Sequence, residues 1–157
     1  MTPPVTAALR VTSPAFAAGE RIADRYTCTG EDVSPPVQWS TPPEGTKSMA
    51  VLMDDPDANN FGHWLVYNLP GNTTAVPEAL PKTPELADGS RQGETSFGEV
   101  GYGGPCPPSG THHYVFHVYA LDTMLSLPAG ASKDDLLRAM QDHVLAQGEL
   151  IAVYNKP

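Results

Sequence analysis

The sequence predicts a mainly β fold, a sandwich of short strands joined by irregular loops, in one domain that spans residues 1–157. Seventeen prolines and fourteen glycines occur at short intervals along the chain, and a helical bundle does not tolerate such frequent helix breakers. The run from Val115 to Leu121 is apolar on both alternating faces apart from His117. That pattern is typical of a central strand covered on both sides.

Strands are expected where short apolar runs lie between turn residues. These runs are 8–13, 37–40, 48–54, 63–69, 114–122 and 149–154. The segment 71–98 is polar and lacks periodicity, so we predict a long loop there. Long loops inside compact domains often line a functional site.

One helix is predicted late in the chain, over residues 133–146. Ser132 is its N-cap, Asp135 occupies the capping-box position, and Gly148 follows its end. Its apolar stripe consists of Leu136, Leu137, Met140 and Val144. We expect this stripe to pack on the sandwich.

The composition excludes several classes of partner. The formal net charge is −9 and no block of Lys or Arg is present, so the long-range field repels nucleic acid and anionic membrane surfaces. No stretch approaches the ~20 apolar residues that cross a bilayer, so integral membrane association is not expected. Any bound anion must be captured locally, by histidines and backbone N–H groups.

The cysteines and the amino terminus bear on the cellular compartment. Cys28 and Cys106 lie far apart in no metal-ligand spacing, which favours free thiols in a reducing compartment over a disulfide framework, with a single bridge as the open alternative. The start of the sequence lacks a basic, then apolar, signal-peptide pattern. We therefore predict a cytoplasmic protein, although a mature secreted form would show the same pattern.

Titratable residues stand at the ends of several predicted strands. Asp55 follows one strand and precedes Pro56, His63 opens the next, and His112 and Tyr114 share one face of a third. Taken singly, the aspartate is typical of a capped turn and a strand-edge histidine of a hydrogen-bonded structural residue. Together they supply a carboxylate that orients an imidazole, a second imidazole and a phenol, a set that suits a phosphate or carboxylate ligand.

The same residues give less support to a metal site, to thiol catalysis or to serine hydrolysis. His112 and His113 are adjacent on a strand and point to opposite faces, and the spacing of His113 and His117 prevents them from sharing one metal ion. Cys106 near His112 suggests nucleophilic catalysis by a thiol. The flanking prolines argue against it, because they lack the backbone N–H groups that an oxyanion hole needs. Serine hydrolysis lacks its G-x-S-x-G motif. We expect no metal and no cofactor.

Four segments taken in order resemble the phosphatidylethanolamine-binding protein family, specifically its bacterial Raf-kinase-inhibitor-like branch. They are TCTGEDVSPPVQW, PPEGTKSMAVLMDDPDA, HWLVYNLP and GYGGPCPPSGTHHYVFHVYALD. The resemblance covers about residues 12–154 and implies a Greek-key antiparallel β-sandwich with a C-terminal helix and a small anion pocket at one edge. Carried over to this sequence, the pocket residues are Asp55, His63, Gly104, Pro105, His112 and Tyr114.

Two positions depart from the family pattern. The usual His-Arg-Tyr is His112-His113-Tyr114, and the usual Asp-Ala-Pro is Asp57-Ala58-Asn59. Loss of the arginine removes a permanent cation, and with it an ion pair or part of the anion affinity. The change at Asn59 is expected to loosen the turn.

The sequence therefore supports two functional hypotheses. The first is a non-enzymatic protein that binds a small anion, namely a phosphate, a phosphorylated head group or a carboxylate, and that inhibits or regulates a kinase or protease, as the resemblance permits. The second is a hydrolase or transferase that uses Cys106 or His112 in the same pocket. The oligomeric state is open, and a homodimer is compatible with the sequence.

Overall fold

A computed structural model describes residues 7–155 and contains two β-sheets and one α-helix. The strands are β1 (Ala7–Ala8), β2 (Val11–Thr12), β3 (Val37–Trp39), β4 (Ser48–Asp55), β5 (Phe61–Pro70), β6 (Ala75–Val76), β7 (Arg91–Gln92), β8 (His112–Leu121) and β9 (Val144–Tyr154). The helix α1 spans Lys133–Met140. Short 3-10 turns lie at Asp24–Tyr26 and Pro56–Ala58. The predicted mainly β architecture is confirmed.

The larger sheet has the strand order β1-β9-β8-β4-β5-β7, and the smaller sheet has the order β2-β3-β6. Pairing is antiparallel except between β1 and β9. After the β4–β5 hairpin and β7, the chain returns to place β8 beside β4, which is the crossing of a Greek key. As a result, the C-terminal end of β4 and the N-terminal ends of β5 and β8 lie together at one end of the larger sheet.

The predicted strand over residues 8–13 is divided between the two sheets. Its first part, β1, pairs with β9 in the larger sheet, while β2 pairs with β3 in the smaller one. Between them, the backbone N–H of Leu9 donates to Gln147 O at 2.9 Å and that of Arg10 donates to the Ser40 hydroxyl at 2.9 Å. The segment therefore connects the two sheets through hydrogen bonds of its backbone.

Both faces of the larger sheet are covered by apolar side chains. The cluster between the sheets includes Trp39, Met53, Trp64, Phe116 and Tyr154, and the cluster on the outer face joins Leu52, Leu65 and Tyr67 to Leu136 and Met140 of α1. Full burial of one such side chain stabilises the fold by about 1.5–3 kcal/mol. All eight residues of β4 are buried, as expected for a central strand.

The helix is shorter than predicted. The Ser132 hydroxyl accepts the Asp135 N–H at 3.1 Å, as expected for an N-cap, but α1 ends at Met140 and Asp142 adopts a left-handed φ of 68°. Residues 144–146 lie in β9 instead, because pairing with β8 overrides their helical pattern. Leu137 is also 40% exposed, so its assignment to the buried stripe was wrong.

The cysteines form a disulfide between Cys28 and Cys106, so the prediction of free thiols was wrong. Neither residue type nor spacing predicts the pairing, because 78 residues separate the two positions. The bond joins the segment after the first 3-10 turn to the loop that precedes β8. The segment 71–98, predicted to be a loop, is irregular except for the two-residue strands β6 and β7.

Candidate functional site

A pocket of about 170 Å³ lies where β4, β5 and β8 end together beside the loop 104–108. Four residues predicted from the sequence line it: Asp55, His63, His112 and Tyr114. The rest of its wall is mainly apolar and consists of Ala58, Phe61, Phe97, Cys106, Pro107 and Pro108. The pocket therefore presents a few polar groups on an apolar, conformationally restricted wall.

Asp55 is the residue that orients His112. One carboxylate oxygen accepts the Asp57 backbone N–H at 2.9 Å, and the other lies 2.6 Å from His112 Nδ1. A carboxylate accepts and does not donate when ionised, so the His112 proton resides on Nδ1 and Nε2 is the ring atom left for a ligand. The Asp55 side chain is only 3% exposed, so it supports the imidazole from the buried side.

His63 reaches the pocket because of a β-bulge. Trp64 pairs with Met53 and Gly62 pairs with Asp54, so His63 is an extra residue on β5. It therefore lies on the inner side with Trp64, whereas strict alternation along β5 would place these two neighbours on opposite faces. The bulge accounts for this difference.

The ring of His63 is held on several sides. Its Nδ1 lies 2.6 Å from Gly103 O, and the Gly103 N–H donates back to His63 O at 2.9 Å. The rings of Phe61, Phe97 and Tyr114 lie 5.0–5.4 Å away, centroid to centroid. Burial in these surroundings lowers the pKa of His63, even though the bond to Gly103 opposes that shift. The ring is consequently neutral near pH 7.

Tyr114 contributes the third polar group. Its residue is 1% exposed, and its hydroxyl has no hydrogen-bond partner among residues 7–155. Burial raises the pKa of Tyr114 well above its ordinary value, and the charge of Asp55 acts in the same direction. The phenol therefore keeps its proton and is available to donate to an anion.

Gly104 and Pro105 do not line the pocket; they anchor the loop behind it. The Gly104 N–H donates to Asp32 Oδ1 at 2.8 Å, and Pro105 O accepts the Cys28 N–H at 3.1 Å. A Cβ at Gly104 would lie 2.3 Å from Tyr26 O, so only glycine permits this approach. Both residues therefore connect the loop that carries Cys106 to the segment 26–32.

Sequence reasoning did not identify the aromatic rim of the pocket. Phe61 and Phe97 meet edge to face with centroids 4.7 Å apart, and Phe97 is 48% exposed. Phe97 lies in the polar segment 71–98, where it is the only aromatic residue, and this was a usable signal. Phe61 gave a weaker one, since it stands beside the glycine that precedes His63.

The two departures from the family pattern have structural consequences. His113 is exposed, and its backbone N–H and Nδ1 lie 2.7 and 2.9 Å from Asp57 Oδ2, so an interaction with Asp57 is present without an arginine. These bonds lower the pKa of Asp57, the backbone N–H contributing most. Asn59 and Asn60 have φ values of 54° and 58°, a conformation that the fixed φ of proline does not allow.

A second polar cluster lies on the opposite face of β4. Asp54 accepts from His117 Nε2 at 3.0 Å and from Lys133 Nζ at 3.1 Å, and Lys133 also donates to Asn60 O at 2.7 Å. Burial raises the pKa of Asp54, but its bonds to His117 and Lys133 outweigh this, and the net shift is downward. The cluster joins the first residue of α1 to the strand that carries Asp55.

Comparison with known proteins identifies the family. The sequence profile described as phosphatidylethanolamine-binding protein matches residues 12–155. The chain belongs to the phosphatidylethanolamine-binding protein family. It is 49% identical over 138 residues to a UPF0098 protein of Methanothermobacter thermautotrophicus, covering 87% of this chain and 91% of that one. A UPF0098 protein of Aquifex aeolicus is 47% identical over 155 residues, with 96% and 90% covered.

Solved structures agree with this assignment to the phosphatidylethanolamine-binding protein family. A protein of Chlamydia trachomatis, described as a homolog of phosphatidylethanolamine-binding protein, superimposes with a TM-score of 0.87 at 36% identity and covers 97% of this chain and 100% of its own. YbcL of E. coli, described as a member of the mammalian family, gives 0.87 at 33%, with 96% and 100% covered. No helix within residues 7–155 is long and apolar enough to cross a membrane.

Proposed function

We propose that this chain is a non-enzymatic binding protein that holds a small oxyanion in the pocket of Asp55, His63, His112 and Tyr114. The observation that carries the proposal is the unpartnered Tyr114 hydroxyl beside two imidazoles whose Nδ1 atoms are already engaged. Each ring therefore has its Nε2 left for a ligand. The family description supports a phosphorylated head group as the natural occupant.

The size of the pocket bears on the ligand. About 170 Å³ is less than the ~300–1,000 Å³ of sites for drug-sized molecules. Phosphate, a carboxylate or a phosphorylated head group fits this volume better than a whole lipid does. The apolar rim of Phe61 and Phe97 would contact the substituent next to the charged group.

Binding is favoured over catalysis by the groups around the pocket. The sulfur of Cys106 is part of the disulfide, so it offers no thiolate, and among the lining residues no serine or threonine is present. Of the remaining groups, the Asp55 carboxylate is engaged with His112, and the raised pKa of Tyr114 keeps it a phenol. The alternative enzyme would have to use His112 on a water molecule, and the Asp55–His112 pair is the one feature that favours it.

The wider role and the location are also proposals. The chain would inhibit or regulate a protein partner such as a kinase or protease, with the occupied pocket altering the surface that the loop 104–108 presents. If the protein is cytoplasmic, we expect the disulfide of Cys28 and Cys106 to be reduced, because that compartment keeps thiols reduced. Trapping of thiols in intact cells measures this directly: labelled cysteines would support a reduced cytoplasmic form, and unlabelled cysteines would argue for an oxidising compartment.

The test of the pocket is calorimetric titration with phosphate, phosphoethanolamine and acetate. Tyr114→Phe should weaken binding about ten- to hundred-fold, the value of one hydrogen bond to a charged group. Tyr119→Phe is the matched control, because Tyr119 lies on the opposite face and stacks on His117. Equal losses in both variants, or no binding of any probe, would refute the proposal.

A further inference from the structure

We infer that the pocket favours a ligand that brings its own proton, so that it prefers hydrogen phosphate and phosphate monoesters to sulfate and phosphate diesters. The inference rests on the proposed function and specifies the class of ligand. It follows from the direction of the hydrogen bonds already made by the pocket residues.

The first step concerns the proton on His63. Gly103 O lies 2.6 Å from Nδ1, and a carbonyl oxygen only accepts, so Nδ1 carries the hydrogen. A neutral imidazole has one N–H, and the ring sits among three aromatic rings with only 4% of the residue exposed. Its Nε2 is therefore an acceptor with a lone pair.

The second step concerns where that lone pair points. No fully buried side-chain nitrogen or oxygen lacks a partner in the described part of the chain, yet no bond to His63 Nε2 is present there. The atom must therefore be reachable from the open volume of the pocket that His63 lines. A ligand oxygen that approaches it needs a hydrogen.

The Tyr114 hydroxyl has the opposite requirement, because it keeps its proton and donates. One acceptor beside one donor matches an oxyanion that has both a hydroxyl and charged oxygens. Monohydrogen and dihydrogen phosphate have both, whereas sulfate near neutral pH and a phosphate diester lack the hydroxyl.

A mismatch at His63 leaves its lone pair facing an anionic oxygen in a partly desolvated site. An unmade hydrogen bond of this type costs about 1–3 kcal/mol, which corresponds to about ten- to hundred-fold in affinity. The head group of an intact phospholipid is a diester, so the same reasoning ranks it below a monoester.

The experiment compares four probes at one ionic strength near pH 6: inorganic phosphate, methyl phosphate, sulfate and dimethyl phosphate. A monoester retains about half of its second proton there, since that pKa is about 6. The first two should bind at least about tenfold tighter than the last two. Equal affinity for phosphate and sulfate would overturn the inference and leave the proposed function standing, and binding of none would refute both.

Two further measurements test the role of His63 itself. In His63→Gln the amide can rotate to donate, so the preference for phosphate over sulfate should fall below about threefold. The nitrogen chemical shifts of the His63 ring in the wild-type phosphate complex do not depend on a variant. They should show a protonated Nδ1 and an unprotonated Nε2, and a doubly protonated ring would overturn the inference.

Discussion

Removal of the disulfide should destabilise the protein strongly while leaving the folded state recognisable. The bond closes a loop with a sequence separation of 78 residues, and the chain-entropy relation gives about 4.5 kcal/mol at 25 °C for a loop of this length. The folded contacts survive in Cys28→Ser with Cys106→Ser, because the hydrogen bonds of Gly104 and Tyr102 to the partner segment do not involve sulfur. The loss is therefore assigned to the greater freedom of the unfolded chain.

The assays are urea unfolding and thermal unfolding of the oxidised protein, the reduced protein and the double serine variant. The reduced protein and the variant should coincide, with a lower free energy of unfolding and, at this length, a melting temperature about 9–18 °C below that of the oxidised protein. Both cysteines are exposed, so a reductant reaches the bond without unfolding. The variant should not respond to reductant, which makes it the control.

The reasoning would be refuted by a difference below about 1 kcal/mol between oxidised and reduced protein, because loop closure then contributes little. A larger loss in the variant than in the reduced wild type would instead assign the effect to the serine side chains. Anion affinity gives a second measurement. Cys106 lines the pocket and Gly103 holds the His63 ring, so reduction should also weaken phosphate binding.

Three further predictions concern the supports of the pocket. Gly104→Ala should cost about 1–3 kcal/mol of unfolding free energy, because its Cβ would clash with a backbone oxygen at 2.3 Å; in Gly62→Ala the nearest atom lies at 3.4 Å, and the loss should be smaller. Lys133→Met should lower the free energy of unfolding by about 1–3 kcal/mol, since it leaves the largely buried carboxylate of Asp54 with one partner fewer. The control Lys82→Met breaks a more exposed pair with Asp32 at 3.9 Å and should lower it by under about 1 kcal/mol. Stability should fall as the pH drops below about 6.5, because the unfolded ring of His63 takes up a proton before the buried ring does.

Urea unfolding between about pH 5 and 8 measures the last of these effects against His63→Gln, which lacks the titrating ring. Relative to this variant, the wild type should lose stability on the acid side by at most about 1.4 kcal/mol per pH unit. Above the ordinary histidine range, the difference between the two proteins should not change with pH. A constant difference across the whole interval would contradict the assignment of a neutral buried ring. For the two lysines, equal losses would show that burial of the partner carboxylate is not what matters.

Much of the site could be predicted from the sequence because strand alternation is a local rule. Asp55 at the end of a buried strand, and His112 with Tyr114 two residues apart, follow directly from a period of two. The structure brings these three residues to one pocket. Their role in binding remains a proposal, but their proximity follows from the order in which the strands pair.

The parts that could not be predicted depend on contacts between distant segments. The bulge that turns His63 inward appears only when β5 is placed against β4, and the end of α1 is decided by the pairing of residues 144–146 with β8. The partner of Cys28 lies at a sequence separation of 78 residues. None of these is visible in a window of a few residues, since each results from tertiary pairing that outweighs local propensity.

The adjacent residues Asp54 and Asp55 explain why the pocket is held in one geometry. Because they are neighbours on β4, they point to opposite faces of the sheet. Asp55 binds His112 on the pocket side, and Asp54 binds His117 and Lys133 on the helix side. The end of the strand is thus braced from both faces, so the His112 ring is oriented before a ligand arrives and its ordering does not reduce the affinity. If this bracing matters for binding, Lys133→Met should weaken phosphate affinity although Lys133 does not line the pocket, and unchanged affinity would limit the Asp54 cluster to a structural role.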